Sequence, residues 1–316
     1  MIDKEQLIKR YCFAKETKWK QVSLLASLVV TGEDAESFLQ GQFSQELRPA
    51  RVGPINYGFW LTRQGKVFGD AVIVRESDDV WRIFSGSLSA TALVERLESF
   101  IIADDVTVAD ETARWQAWRI AGGDVAAWLP NWRSETAAAG GTAWGWEEAQ
   151  PLPGGSALIV ASQPPPWPKN WPEATTEEFE QARIAAGIPR VPQDLGEGDL
   201  PQEAGLDAVG VSFNKGCYLG QEVMARLQSL GRVRRRLVTV AGAGDVPGVE
   251  QVDLWQGEKR VGALRSRVAG FDGAWLGLAL VSVASCDFTR PVGLVQGDGD
   301  APAIDIVAEV TPEDAV

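Results

Sequence analysis

Asn214-Lys215-Gly216-Cys217-Tyr218-Leu219-Gly220-Gln221-Glu222-Val223-Met224-Ala225-Arg226 is the stretch on which the reading of this chain turns. A glycine-flanked cysteine follows a lysine and precedes a helix-like run over residues 221–227. A thiol near a helix N-terminus meets unpaired N–H groups and the positive end of the macrodipole, and both favour its thiolate. Lys215 and Arg226 add positive charge. Local spacing leaves two readings open, a reactive thiol or a small buried apolar residue.

Working upstream, residues 188–205 (IPRVPQDLGEGDLPQEAG) hold too much Pro and Gly for regular structure, and so long an irregular loop in a compact fold points to function. Before it, residues 175–186 predict a helix with a Thr cap, acids in the first turn and Gly187 as its stop. Residues 130–172 contain AAAGG, PLPGG and PPPWP and predict turns and irregular connections around one weak strand at 157–161. Eight of the thirteen tryptophans fall between Trp115 and Trp171, and core packing is the favoured reading for them. Nearer the N-terminus, 21–31 reads as one buried strand and 34–40 as a helix. Strands are expected at 57–62, 67–75 and 81–85, then a helix at 89–100. Downstream, 237–310 alternates short β-branched runs with Gly turns, the pattern of a small all-β barrel, and the boundary falls near 232–237.

Bulk properties narrow the chemistry. The chain has no histidine, which excludes Ser-His-Asp triads and His-ligated metals. Acid–base work falls to Asp, Glu, Lys, Tyr or Cys. Three widely spaced cysteines, Cys12, Cys217 and Cys286, are no disulfide framework and fit a reducing compartment. No Cys-x-x-Cys pair exists, so no metal site is expected. A net charge of −13 disfavours direct nucleic-acid binding. With no apolar run of membrane-spanning length and no leader pattern, a cytoplasmic location is expected.

The run Lys215-Gly216-Cys217-Tyr218-x-Gly220-Gln221-Glu222 resembles the signature of the YgfZ family, which includes bacterial YgfZ proteins and mitochondrial factors that assist iron–sulfur cluster assembly. The resemblance takes in Pro201-Gln202-Glu203-Ala204-Gly205-Leu206, the Arg-rich stretch 232–236 and GEDAESFLQGQ at 32–42, and so spans most of residues 20–240. The same segments resemble, more distantly, the glycine-cleavage T-protein, which transfers a one-carbon unit to tetrahydrofolate. The implied fold is α+β: a T-protein-like folate-binding domain of intertwined subdomains with mainly antiparallel sheet over residues 1–232, and a small C-terminal β-barrel over 233–316.

The resemblance also implies a site. Glu203 inherits the pterin-binding carboxylate, a role suited to accepting paired N–H bonds. Leu25 and Phe179 match positions that contact folate, and Tyr218 and Arg226 complete the expected contacts. Arg226 and Arg232–Arg236 form a basic cluster, read either as a seat for folate's glutamate tail or an anionic partner, or as a solvated strand start. Asp70, in Gly65-Lys66-Val67-Phe68-Gly69-Asp70, resembles a T-protein stretch with two acids, of which one survives. Cys217, Lys215 and Asp70 are the expected catalytic residues. The implied function is a folate-dependent accessory protein that supports iron–sulfur cluster assembly or repair and, through it, tRNA-modifying enzymes. Its implied partners are folate and iron–sulfur assembly proteins or iron–sulfur enzymes. Two alternatives stand beside it, a folate-dependent aminomethyltransferase or demethylase and a non-catalytic adaptor.

Overall fold

The single strand expected at 21–31 is two strands that belong to different sheets. The computed structural model describes residues 4–13, 16–48, 55–139, 142–248, 252–297 and 303–309. Parts of the expected C-terminal unit, 298–302 and 310–316, therefore lie outside the described residues.

In chain order the elements are α1 (Lys4–Tyr11), β1 (Lys18–Val22), β2 (Ala26–Thr31), α2 (Ala35–Gln42), β3 (Ile55–Leu61), β4 (Val67–Ser77), β5 (Val80–Ser85), α3 (Ala90–Glu98) and β6 (Thr107–Asp110). There follow β7 (Gln116–Ala121), α4 (Val125–Ala138), β8 (Ala143–Glu147), β9 (Ser156–Ala161), α5 (Thr176–Ala186), α6 (Asp207–Gly210) and α7 (Gln221–Leu230). The last stretch holds β10 (Arg235–Ala243), β11 (Val252–Gln256), β12 (Lys259–Ala269), β13 (Ala274–Ser282) and β14 (Asp305–Glu309).

The strands form three sheets, ordered β3-β4-β5-β2-β6, β1-β7-β9-β8 and β11-β12-β13-β10-β14, and neighbouring strands in them pair antiparallel. The chain leaves the second sheet after β1, builds the whole first sheet, then returns at β7, which pairs with β1. That return interlocks the two sheets, as intertwined subdomains require.

Residues 130–172 depart from the irregular reading. They contain most of α4 as well as β8, beside β9 at the place of the strand expected at 157–161. Most of the Gly and Pro fall in the links, but Pro130 is accommodated inside α4 and Gly145 inside β8. The strands are held by aromatic burial: Trp118, Ile120, Leu129, Trp132, Ile159 and Trp171 share one core. Side chains of that size bury enough apolar area to fix a sheet whose sequence lacks β-branched alternation. Trp128 stacks on Trp132 at 5.6 Å and on Trp167 at 5.7 Å, which accords with core packing as the role of the tryptophan cluster.

The C-terminal strands form an open five-stranded sheet, not a closed barrel. One face packs on the rest of the molecule, where Leu237, Leu276 and Leu278 join Leu7, Phe59, Leu61, Ile184 and Leu206. Cys286, Val292 and Ile304 cover the other face. With both faces already buried, closure offers no further burial. Among the described residues no helix is long and apolar enough to cross a membrane.

Candidate functional site

The helix α5 meets its sequence description in full. Thr175 and Glu178 form a reciprocal capping box, and Gly187 ends the helix at φ 76°. This rigid helix, together with strands of the first two sheets, encloses a cavity of about 470 Å3. That volume is in the range of small-molecule sites. Val72, Phe84, Trp146, Leu158 and Phe179 supply apolar wall.

Polar and charged groups line the rest of the cavity. On the floor, the Tyr57 hydroxyl donates to Asp70 Oδ2 at 3.0 Å. Burial pushes the Asp70 carboxyl above its ordinary value, against the opposing hydrogen bonds of Ser87 and Tyr57 and the charge of Arg119. Burial, and then the Asp70 charge, push the Tyr57 hydroxyl well above its ordinary value. At the rim, Arg119 pairs with Glu148 at 2.7 Å. Glu180 is clamped by Arg183 at 2.8 Å and by Arg190. Burial opposes ionisation of Glu180, but the two arginines outweigh it and leave its carboxyl below the ordinary range.

Arg183 is the hub of a buried network. Its guanidinium donates to Asp194 Oδ2 at 2.6 Å, the Ile188 carbonyl at 2.8 Å and Ser266 Oγ on β12 at 2.8 Å. A buried arginine is tolerated only when its N–H groups are paired in this way. The loop after α5 is thereby tied to both the helix and the C-terminal sheet.

The expected site residues separate into two groups. Asp70 and Phe179 line the cavity. Leu25 is 43% exposed and does not line it, although its neighbours Ser23 and Leu24 do. Glu203 lies outside the cavity in the 3-10 turn Pro201–Ala204, and both its oxygens are occupied by Arg235, at 2.9 and 2.7 Å. Tyr218 is buried in the core shared with the C-terminal sheet, and burial raises its hydroxyl to about 12. Arg226 is exposed on α7.

Lys215 has a defined structural task. Its buried ammonium donates to the carbonyls of Gln40, Phe43 and Gln45, each at 2.8 Å, at the C-terminal end of α2. All three donors are used, and a cation at a helix C-terminus is electrostatically favoured. Desolvation lowers this group to about 8, with the Glu46 charge opposing. Lys215 thus anchors the loop through its three N–H groups. The Leu219 amide donates to the Gly41 carbonyl at 3.1 Å and fixes the loop a second time. Gly220 caps α7 at φ 88°, where a Cβ would meet the Thr62 carbonyl oxygen at 2.7 Å, so only glycine fits.

Cys217 is exposed, while Cys286 is buried and Cys12 mostly so. It lies three residues before the Gly220 cap. The first turn of α7 therefore begins beyond it in the chain. Cys217 does not line the cavity either.

Tyr57, Arg119, Trp146, Glu148, Glu180 and Arg190 line the cavity without having been singled out by sequence. Glu180 and Arg183 carried a signal: charges beside Phe179 on the inward face of a helix need partners. Arg190 reaches the cavity through its ion pair with Glu180, and the others come together through strand pairing.

A family model described as the GCVT N-terminal domain matches residues 15–162. The chain is 26% identical over 239 residues to the iron–sulfur cluster assembly factor IBA57 homolog, mitochondrial, of Cryptococcus neoformans var. neoformans serotype D. That match covers 67% of this chain and 63% of the relative, so the chain spans less than two thirds of that protein. It is 28% identical over 266 residues to the tRNA-modifying protein YgfZ of Escherichia coli O7:K1, covering 78% of this chain and 80% of that one. Among solved structures, the glycine cleavage system aminomethyltransferase T from Bartonella henselae superposes with a TM-score of 0.68. At 16% identity, with 98% of this chain and 89% of that chain covered, this likeness defines a shared fold.

Proposed function

We propose that the chain belongs with the YgfZ and IBA57 proteins and is a folate-binding accessory protein for iron–sulfur cluster assembly or repair and, through it, for tRNA-modifying enzymes. Residues 1–232 are assigned to the folate-binding unit and 233–316 to a C-terminal unit. Tetrahydrofolate occupies the cavity lined by Asp70 and Phe179, and Cys217 performs thiol chemistry with a partner at the surface. The free cysteines Cys12, Cys217 and Cys286 accord with a reducing, cytoplasmic setting.

The cavity carries this reading. A pterin is flat, apolar on its faces and rich in N–H donors at its edge. Trp146, Phe84 and Phe179 suit the faces, and Asp70 suits the edge. Arg119 and Arg190 suit the carboxylates of a glutamate tail. When bound, the folate would supply one-carbon chemistry. Tyr57 orients the Asp70 carboxyl by donating to it, and the apolar wall excludes water.

The aminomethyltransferase alternative needs Asp70 alone to do what two acids do in the T-protein motif. The adaptor alternative makes Cys217 dispensable. Titration of the full chain with tetrahydrofolate, read by fluorescence of Trp146 and its neighbours, tests the main reading. Saturable binding weakened about tenfold by Arg119→Ala supports it. Absence of binding at millimolar ligand sinks the folate assignment and leaves the adaptor in first place.

A further inference from the structure

One rung of the second sheet runs along the whole cavity wall. Lys20 on β1 stands opposite Arg119 on β7, Arg119 opposite Leu158 on β9, and Leu158 opposite Trp146 on β8. All four residues line the cavity. Directly opposed residues share a face of the sheet, and four strands set the two ends of the rung three spacings apart, ~14 Å. The rung is cationic at one end and aromatic at the other.

The first sheet continues the aromatic end. Phe84 on β5 stacks on Trp146 at 5.8 Å. Val72 on β4 stands opposite Phe84, and Asp70 lies two residues along the same strand, on the same face. The cationic end is not balanced. Like charges directly opposed on neighbouring strands repel. Glu148 answers Arg119 at 2.7 Å. Arg183 and Arg190, the other cations of the lining, are held by Glu180 and Asp194. Lys18, on the same face of β1, takes Glu178 at 2.8 Å and Glu16 at 3.5 Å. The half-buried Lys20 ammonium has no hydrogen bond or ion pair among the described residues. A partly desolvated cation beside a second cation is a place where an anion gains.

We propose that Lys20 receives a carboxylate on the tail of the ligand and so sets which way a folate lies, with the pterin against Trp146 and Phe84 and the glutamate at β1. This inference rests on the folate reading of the cavity and adds an orientation and a selectivity to it. A ligand with the same head and an uncharged tail forfeits the contact. A compact ammonium on a flexible stem suits a tail that retains some freedom.

Calorimetric titration of the full chain with tetrahydrofolate and, separately, with tetrahydrobiopterin, whose side chain is uncharged, tests the assignment. Tetrahydrofolate should bind at least about tenfold more tightly, with an advantage that shrinks at high salt. Lys20→Met should weaken tetrahydrofolate by about tenfold and leave tetrahydrobiopterin unchanged, and Lys20→Arg should recover most of the loss. The urea midpoint should hold in both variants, because the ammonium makes no contact within the fold. Equal tetrahydrofolate affinity in Lys20→Met and the unaltered chain, or an equal loss for both ligands, overturns the Lys20 contact and leaves the folate cavity standing. No binding of tetrahydrofolate to the unaltered chain at millimolar concentration removes the folate reading and this inference with it.

Discussion

Glu203 and Arg235 form a two-point ion pair, with Nε at 2.9 Å and Nη2 at 2.7 Å from the two carboxylate oxygens, and this pair ties the loop before α6 to the first residue of the C-terminal sheet. The Leu200 amide also donates to the same carboxylate, at 2.9 Å. Glu203 is 2% exposed, whereas the Arg235 side chain is 35% exposed.

Glu203→Gln therefore removes a buried charge partner and should destabilise the protein by about 2 kcal/mol, less than for a fully buried pair because Arg235 retains water. Urea denaturation would read that loss. Tetrahydrofolate affinity should stay within about twofold of the unaltered chain, since no contact with the ligand is removed. A loss of affinity at unchanged stability would return Glu203 to the ligand-binding role its sequence motif implies.

Lys215→Met should be among the most destabilising single changes, by about 3 kcal/mol, because three buried carbonyls lose their donor together. Lys215→Arg should recover only part of it, since a planar fork cannot reproduce three convergent contacts. If Lys215→Met melts with the unaltered chain, the anchor role is wrong, and a role next to Cys217 regains its place.

Much of this was legible in the sequence, and the boundary of legibility has physical causes. The capped helix α5, the β3–β4 hairpin and the glycine at the start of α7 are local devices, specified by neighbouring residues. The motif around Cys217 pointed to the T-protein-like fold, which the likeness to a solved aminomethyltransferase T bears out. The dense tryptophan region hid β8 and most of α4, since large aromatic side chains obscure both the helical and the strand period. Within the site, Asp70 and Phe179 could be named from motif likeness. Tyr57 and Arg119 could not, because they reach the cavity from β3 and β7, on two different sheets. The same non-local assembly sent Glu203 to a structural ion pair.

Exposure separates the three thiols. Cys217 is exposed, while burial pushes Cys12 up to about 12, and Cys286 is 8% exposed in the C-terminal core. Limited alkylation of the native protein followed by peptide mass spectrometry should modify Cys217 first, at least about tenfold faster than the others. Cys217→Ser should leave stability within about 0.5 kcal/mol, as a surface change does, yet abolish complementation of a strain lacking the protein. Full complementation would favour the adaptor.

The Asp70 carboxyl gives a pH signature with a definite sign. Its folded-state value is raised from the ordinary 3.8, chiefly by burial. Between 3.8 and the raised value, the folded protein binds more protons at this site than the unfolded chain. Stability contributed here must then fall as pH rises through that window, because ionising Asp70 in its enclosed position costs more than ionising it in water. Asp70→Asn keeps an acceptor for the Tyr57 hydroxyl and removes the charge. The variant should match the unaltered chain near pH 4 and become the more stable of the two toward pH 7, with the gap opening through the window. Urea midpoints measured across that range decide the matter. A variant that loses stability as pH rises would mean that the charged form of Asp70 is held by Arg119 and Tyr57 more strongly than burial opposes it.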